Sequence, residues 1–254
     1  MKIDLVLTAC DTNDHYLKLF PYIIKVWKQK FNIDCQLVLI ANDIPSFLID
    51  YKDNIVLFRP IEGIHTAFIS QVIRILYPCL YDNKNILITD VDIFPISYNY
   101  FIKSIENLPD NVFVSYRDAY IKQNMLGICY NVANSSIWKE IFNINNIDEL
   151  IIILKKWYDI KYTGQKNCTG WFTDQQKLFE YVMNWKKNND TRFVLFNDKN
   201  MNFHRLDKRQ KNFIINNFQK LQTSMNDYTD FHSIKPYSAY KKIIEILVDA
   251  ICNS

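Results

Sequence analysis

Residues 86–96 read Ile-Leu-Ile-Thr-Asp-Val-Asp-Ile-Phe-Pro-Ile, an apolar run that ends in two aspartates separated by one residue. A run of this kind, bounded by Asn85 and Pro95, predicts a buried strand of an α/β sheet. Such sheets bind ligands beyond the carboxyl ends of their strands. Asp90 and Asp92 are therefore expected where a ligand binds.

The close spacing of the two aspartates points to a bound cation. Two neighbouring carboxylates repel each other unless a cation, a shared proton or a basic side chain lies between them. Hard divalent cations prefer oxygen ligands, so Asp90 and Asp92 suggest a phosphate bound through a metal ion. A simpler interpretation is that the Asp-X-Asp sequence only forms a turn and caps a helix, because aspartate favours both positions.

Strands and helices alternate along the first part of the chain. Apolar runs predict strands at residues 3–8, 35–41 and 55–58, and apolar residues at helical spacing predict helices at 16–31 and 65–81. The order strand, helix, strand opens a βαβ unit, in which the helix supplies the crossover that parallel strands require. Residues 1–95 therefore predict a nucleotide-binding half built around parallel strands.

The pattern becomes less regular after Asp92. Strands are predicted at 112–116, 126–132, 192–196 and 203–206, and helices at 136–142, 147–162, 175–188, 210–221 and 240–252. The chain has 254 residues with only 4 Gly and 7 Pro, which leaves no room for a long flexible linker. We therefore expect one α/β domain over residues 1–254, in which residues 96–254 form a more irregular half.

The composition excludes several classes of protein. A net charge of +3 is too small for an electrostatic footprint on DNA or RNA, so no nucleic-acid partner is expected. The 6 cysteines show no Cys-X-X-Cys spacing, which argues against a zinc site or a disulfide framework and favours a reducing compartment. The N-terminus lacks a signal-peptide core, and no stretch approaches the ~20 apolar residues of a transmembrane helix. These features predict a soluble, cytoplasmic protein. They do not predict its oligomeric state.

Residues 229–237, Thr-Asp-Phe-His-Ser-Ile-Lys-Pro-Tyr, carry a second group of chemically capable side chains. A neutral imidazole such as His232 can complete a coordination sphere begun by carboxylates, and the Lys235 ammonium can neutralise phosphate charge. With Asp90 and Asp92 they would form a clamp for a metal ion and a diphosphate. A lone histidine of this kind is, however, more often a surface residue or a satisfied core residue.

Three motifs, in this order, resemble the GT-A fold glycosyltransferases. They are the Thr-Ala-Cys-Asp sequence at residues 8–11, the Asp-X-Asp at 90–92 and the His-X-X-Lys-Pro-aromatic segment at 232–237, which is similar to that of glycogenin-like enzymes. Residues 71–78, 86–95 and 171–175 also resemble small glycosyltransferases of large DNA viruses. The resemblance implies an α/β, GT-A (Rossmann-like) fold with a mixed, mainly parallel sheet flanked by helices, and an acceptor-binding second half.

The resemblance also implies an activity. The chain would transfer a sugar from a nucleoside diphosphate sugar to a hydroxyl of a glycan or glycoprotein acceptor, with a UDP-sugar favoured and a GDP-sugar as the alternative. Mn²⁺ or Mg²⁺ would stabilise the charge that develops on the leaving diphosphate. An enzyme of viral origin would work in the host cytoplasm.

The matched motifs assign roles to the charged residues. Asp92 would be the principal metal ligand, and Asp90 would bridge the ribose and the metal. His232 would be the third protein ligand of the metal, and Lys235 would hold the diphosphate.

Further residues would contact the donor. Those at the end of the first strand would approach the base and the ribose: Thr8, Ala9 and Cys10. On the predicted helix 65–81, Arg74 resembles a basic residue that GT-A enzymes place against the donor phosphate or sugar, and Gln71 lies about one turn earlier on the same face. Arg59, just after the third predicted strand, is a weaker candidate for the same contact with the donor. A surface arginine without a binding role is an equally good interpretation of Arg74.

Residues 170–176, Gly-Trp-Phe-Thr-Asp-Gln-Gln, supply the candidate for catalysis on the acceptor. The Trp171 ring suits the apolar face of a sugar, and Asp174 could remove the acceptor proton as a general base. That role would make the reaction a single displacement with inversion, whereas glycogenin-like enzymes retain configuration and need no base there. Thr-Asp before an amphipathic run is also a helix N-cap signature. The polar residues His204, Arg205 and Asp207 either line the same site or form a solvated loop.

Two other functions stay open. A haloacid-dehalogenase-like phosphatase would use Asp90 as nucleophile and Asp92 as acid/base, but that interpretation leaves His232 and Lys235 unexplained. A sugar- or nucleotide-binding module could keep the fold without turnover.

Overall fold

A seven-stranded sheet forms the centre of the computed structural model, which describes residues 1–254. The strands of the chain are β1 (Leu5–Asp11), β2 (Asp34–Ile40), β3 (Ile55–Phe58), β4 (Asn85–Ile88), β5 (Ile93–Pro95), β6 (Phe113–Ser115), β7 (Asn131–Asn134), β8 (Phe193–Leu195), β9 (Arg205–Leu206) and β10 (Asp230–His232). The large sheet has the order β3-β2-β1-β4-β7-β6-β8. Strands β3, β2, β1 and β4 are parallel, β7 is antiparallel to β4 and β6, and β8 is parallel to β6. The predicted α/β class with a mainly parallel sheet is confirmed.

Helices cover both faces of this sheet. In chain order they are α1 (Asp14–Leu17), α2 (Phe20–Phe31), α3 (Thr66–Leu76), α4 (Ser135–Phe142), α5 (Ile147–Trp157), α6 (Thr173–Lys186), α7 (Lys211–Leu221) and α8 (Tyr237–Asn253). Strand β1 contributes side chains to both hydrophobic cores. Val6 and Cys10 belong to the core that contains α2 and α8. Leu5, Leu7 and Ala9 belong to the core that contains α3 and α4. Successive strand residues point to opposite faces, so a strand covered on both sides is apolar almost throughout. None of the helices is both long enough and apolar enough to cross a bilayer.

Several predicted elements differ in the structure, and the helix expected over residues 147–162 already ends at Trp157. The helix expected over residues 16–31 is split into α1 and α2, because Pro21 lies in the first turn of α2 and has no backbone N–H to continue a helix from α1. The strand expected over residues 126–132 begins only at Asn131. The Asn131 side chain donates to the carbonyls of Gly127 and Ile128 at 2.7 and 3.0 Å, so these groups are satisfied within a turn and not by a neighbouring strand.

A second sheet of three short strands brings distant segments to the end of β4. Its order is β5-β10-β9, with β10 antiparallel to β5 and parallel to β9. His232 pairs with Ile93, and Ser233 N donates to the Asp92 carbonyl at 2.9 Å. The Asp-X-Asp turn thereby lies beside the His-X-X-Lys-Pro segment, although Asp92 and His232 are 140 positions apart in the chain.

An ion pair inside the protein stabilises the small sheet. Asp230 is fully buried, and Arg205 donates two hydrogen bonds to it, from Nε at 2.8 Å and from Nη2 at 2.6 Å. The Tyr130 hydroxyl donates a third hydrogen bond to Asp230 at 3.0 Å. Because Arg205 and Asp230 occupy paired positions of β9 and β10, the ion pair fixes the register of these strands.

Replacing Asp230 by Ala should lower the free energy of unfolding by about 3–5 kcal/mol, because it leaves the Arg205 guanidinium buried without a counter-charge. Urea denaturation followed by circular dichroism measures this change. Asp249→Ala is the matched control, since Asp249 forms an exposed ion pair with Lys25 and should change the same quantity by less than about 1 kcal/mol. Equal losses in the two variants would contradict the prediction.

Candidate active site

A cavity of about 1130 Å³ opens at the carboxyl ends of β1 and β4. Its volume is slightly above the roughly 300–1,000 Å³ of small-molecule pockets. The wall includes Cys10 and Asp11 at the end of β1, and Asp90 and Asp92 after β4. Open α/β sheets bind ligands at this edge. The two aspartates therefore face a cavity large enough for a small-molecule ligand.

Asp92 is a buried carboxylate with three cationic partners. Its Oδ2 atom lies 2.7 Å from Lys235 Nζ, 3.1 Å from His232 Nε2 and 3.5 Å from Lys208 Nζ. Burial alone would raise the pKa of Asp92, but Lys235 and His232 together hold this pKa well below its usual range. Asp92 therefore presents a full negative charge to these three groups.

The two lysines differ in their access to the cavity. Lys208 lines the cavity wall, and its side chain is 37% exposed. Lys235 does not line the wall, because its Nζ is buried behind Asp92, 3.2 Å from the centre of the Tyr16 ring. The aromatic ring and the Asp92 carboxylate offset the cost of burying this ammonium. Lys208 is thus the lysine that a ligand in the cavity meets first.

The buried Arg74 guanidinium connects the Asp-X-Asp turn to helix α6. Its Nη1 donates to Asp90 Oδ1, and its Nη2 donates to Asp174 Oδ2 at 3.3 Å. Burial raises the pKa of Asp174 to about 6, although Arg74 opposes this rise. Asp174 also accepts a hydrogen bond from Gln175 N at 2.8 Å, but Phe172 and not Asp174 occupies the N-cap position of α6. The Asp174 carboxylate lies at the cavity wall beside Arg74.

His232 lies between two carboxylates. Its Nε2 faces Asp92, whereas its Nδ1 is buried without a hydrogen-bond partner, 3.7 Å from Asp207 Oδ2. Burial by itself lowers the pKa of His232, but Asp92 and Asp207 outweigh it and raise this pKa above its ordinary value. Asp207 also caps the short helical turn Lys208–Gln210 and pairs with Arg209.

The remaining predicted donor residues fall into two groups. Three of them line the cavity: Ala9, Cys10 and Gln71. Thr8 lies in β1 with a fully buried side chain whose hydroxyl has no hydrogen-bond partner, so this side chain does not reach the cavity. Arg59 is exposed after β3 and does not line the cavity either. Strand β3 is at the edge of the sheet, with β2 between it and β1, so the structure does not bring Arg59 to the site.

Several residues of the cavity wall were not identified from the sequence. Arg117 donates to Asp198 through two hydrogen bonds of 2.7 and 2.8 Å, and its guanidinium lies 3.6 Å from the centre of the Phe203 ring. These three residues line the cavity, as do Tyr16 and Lys208. They come from segments without a motif. Only Lys208 carried a signal, since it directly follows the polar residues 204–207.

Comparisons with known proteins identify the fold. No protein-family model matches the sequence, and no curated protein is significantly similar to it. The apo form of the glycosyltransferase GlyE from Streptococcus pneumoniae TIGR4 has a TM-score of 0.50 and 12% identity, over 100% of this chain and 63% of that one. A glycosyltransferase involved in the glycosylation of the major capsid of PBCV-1 has a TM-score of 0.46 and 11% identity, over 96% of this chain and 98% of that one.

The similarity to GlyE shows that this chain has the fold of a glycosyltransferase. The resemblance that the sequence motifs indicated is therefore confirmed at the level of the fold. The chain spans 63% of the length of GlyE.

Replacing Arg74 by Met should lower the free energy of unfolding by about 3 kcal/mol near pH 7.5, because the buried Asp174 and its neighbour Asp90 lose their shared counter-charge. The loss should shrink as the pH falls. The pKa of Asp174, already about 6, rises further without Arg74, and the protonated carboxyl needs no cation. Urea denaturation at several pH values measures the difference between variant and wild type.

Arg209→Met is the control for this experiment, because the Arg209 side chain is 87% exposed and its ion pair contributes little at any pH. A loss in Arg74→Met that is the same at acidic and neutral pH would contradict the prediction.

Proposed function

We propose that this chain is a glycosyltransferase that moves a sugar from a nucleoside diphosphate sugar to a hydroxyl of a glycan or glycoprotein. A UDP-sugar is the favoured donor and a GDP-sugar the alternative. The observation that carries the proposal is the set of charged side chains on one wall of the cavity: Arg74, Asp90, Asp92, Lys208 and His232. A fold hosts many activities, so the chemistry of this wall decides the proposal and the fold of GlyE only supports it.

The positive groups on the wall suit a diphosphate. Phosphate oxygens accept charge-assisted hydrogen bonds from ammonium and guanidinium groups. Lys208 is partly exposed and can turn from Asp92 to a phosphate, while Lys235 stays behind Asp92 and keeps that carboxylate compensated. When the bond between the sugar and the diphosphate breaks, negative charge grows on the diphosphate. Positive groups that are already in place stabilise this charge without reorganisation.

Two of these residues, Asp92 and His232, also suit a divalent cation. Asp92 Oδ2 and His232 Nε2 face each other, which pairs a carboxylate oxygen with an imidazole nitrogen, both of which bind Mn²⁺. No three His, Cys, Asp or Glu side chains are arranged so that they could hold a metal ion together, and Asp90 forms an ion pair with Arg74. We propose Asp92 and His232 as ligands, with Asp90 as the third ligand that the family resemblance implies. Bound Mn²⁺ or Mg²⁺ would supply Lewis-acid stabilisation of the diphosphate.

Asp174 is the proposed general base. It is buried at the cavity wall, and a pKa of about 6 leaves it ionised at neutral pH while it remains basic enough to accept a proton. The acceptor oxygen forms a bond to the anomeric carbon, the bond from that carbon to the diphosphate oxygen breaks, and the acceptor proton passes to Asp174. The configuration at the anomeric carbon inverts. A retaining transferase, which needs no base at this position, is the alternative.

The direct test is a screen of UDP- and GDP-sugars for hydrolysis and for transfer to sugar acceptors, with Mn²⁺ or Mg²⁺ present. We expect turnover of at least one donor. A chain that neither turns over any of these donors nor binds UDP or GDP would refute the proposal.

Replacing Lys208 by Met should weaken the binding of UDP or GDP about 10-fold, because a charge-assisted hydrogen bond to phosphate is lost. Isothermal titration calorimetry measures the dissociation constant. Lys211→Met is the matched control, since the Lys211 ammonium lies 4.5 Å from the centre of the Tyr240 ring and Lys211 does not line the cavity. Equal affinity in wild type and Lys208→Met would remove Lys208 from the diphosphate site.

Replacing Asp174 by Asn should lower kcat about 10²–10⁴-fold and change nucleotide affinity little, because the lost group acts on the acceptor. In the wild type, kcat should rise with pH as Asp174 loses its proton, with a midpoint near its pKa of about 6. The variant should lack this dependence. Rate measurements across pH test both statements, and thermal melting shows whether the variant is folded. An undiminished kcat would favour the retaining alternative.

A further inference from the structure

His232 has a second polar neighbour that the proposed metal role leaves unexplained. Its Nε2 faces Asp92 Oδ2 at 3.1 Å, and its Nδ1 lies on the other side of the ring, 3.7 Å from Asp207 Oδ2. The Nδ1 atom is buried and has no hydrogen-bond partner. A buried polar atom without a partner costs free energy, so the nearby carboxylate is the group expected to satisfy it.

Asp207 is held in place independently of His232. Its Oδ1 accepts hydrogen bonds from Arg209 N at 2.8 Å and from Arg209 Nε at 2.9 Å. The Gln210 side chain accepts a hydrogen bond from Asp207 N at 3.2 Å, which completes a capping box around the turn. The other oxygen, Oδ2, is approached by Arg209 Nη2 only at 3.4 Å, and it is the oxygen that faces His232.

The backbone of the small sheet sets this arrangement. Strands β9 and β10 are parallel, with Arg205 paired to Asp230 and Leu206 paired to Phe231. The next pair along this register is Asp207 and His232. The two side chains are therefore neighbours because the register of the strands requires it, and the buried pair of Arg205 and Asp230 fixes that register.

We infer that Asp207 is a positioning residue for His232. A shift of about 0.5 Å brings Nδ1 and Oδ2 within hydrogen-bond distance. Donation from Nδ1–H to the carboxylate leaves the lone pair on Nε2, which points toward Asp92 and toward a cation bound there. Histidines that bind metals are oriented by carboxylates in this way. The inference rests on the proposed function, because Asp207 has this role only if His232 binds a cation.

Asp207→Asn separates the positioning role from the capping role. Asparagine has nearly the same size and also caps helical turns, so the cap is kept, while the negative charge toward His232 and the ion pair with the exposed Arg209 are lost. The probe is Mn²⁺ alone, without donor or nucleotide, and electron paramagnetic resonance of the free ion gives its dissociation constant. The substitution should raise this constant about 10-fold or more, as removal of other outer-shell carboxylates does.

Asp198→Asn is the matched control. It also removes a carboxylate from the cavity wall, and Asp198, like Asp207, forms an ion pair with an arginine, in this case Arg117. Since it does not contact His232, it should change the Mn²⁺ dissociation constant by less than about threefold. Asp207→Glu restores the carboxylate on a longer side chain that can span the gap, and it should recover most of the affinity lost in Asp207→Asn. Circular dichroism shows whether each variant is folded.

Three results would overturn the inference: Mn²⁺ affinity of Asp207→Asn within about threefold of wild type, an equal loss in Asp198→Asn, or no recovery in Asp207→Glu. Mn²⁺ binding by the wild type distinguishes a failure of this inference from a failure of the proposed function. If the wild type binds Mn²⁺ neither alone nor with UDP or GDP, the metal part of the proposed function fails together with the inference. If the wild type binds Mn²⁺ and Asp207→Asn binds it equally well, only the inference fails.

Discussion

A buried negative charge is tolerated only when positive groups surround it, and Asp92 meets this condition with side chains from two other parts of the chain. Lys208 comes from the turn after β9, whereas His232 and Lys235 come from β10 and the residues that follow it. The path of the chain after β9 meets this requirement. Strand β10 pairs with β5 beside the Asp-X-Asp turn, and α8 begins directly after Pro236 and packs against α2.

Positive and negative groups in the cavity are already paired before a ligand binds. Arg74 forms ion pairs with Asp90 and Asp174, and Arg117 forms an ion pair with Asp198. An anion that enters the cavity therefore has to exchange partners with these carboxylates, and each new contact replaces an old one. In the proposed function, a diphosphate that arrives with a divalent cation resolves this competition, because the cation compensates the carboxylates that the basic groups leave. A free anion without a cation gains less.

The parts of the fold that local patterns specify could be predicted, and those that depend on long-range register could not. Strands β1, β2 and β4 were visible as apolar runs because they are covered on both faces, and β3 was visible because its four residues are all apolar, although Leu57 is exposed. Strands β5 and β10 have three residues each, which is too short for any periodicity to appear. The position of His232 next to the Asp-X-Asp turn was therefore expected from the chemistry of these side chains and from a family resemblance, but not from a strand pattern. Arg59 does not line the cavity, and the sequence could not show this, because a basic residue after a strand looks the same whether the strand is central or at the edge.

The same limit explains which site residues were missed. A polar turn such as residues 207–210 has one composition whether it faces solvent or a cavity, so the roles of Asp207 and Lys208 become visible only once β9 lies beside β10. Tyr16 and Phe203 gave no signal because aromatic residues are common in cores. Asp174, in contrast, stood next to an aromatic pair in a recognisable segment, and the structure places it against Arg74.

The pairing of β5 with β10 has a consequence for biosynthesis. The ribosome completes the Asp-X-Asp turn long before it reaches His232, which lies 140 positions later than Asp92. Closing a loop of this length is slow, and no local contact can replace it. A nascent chain halted before β10 would lack the imidazole and the ammonium that Asp92 requires, and also helix α8, which completes the core on one face of the large sheet. Maturation of the cavity is therefore a late event, coupled to the arrival of the last segments and not to the folding of the first.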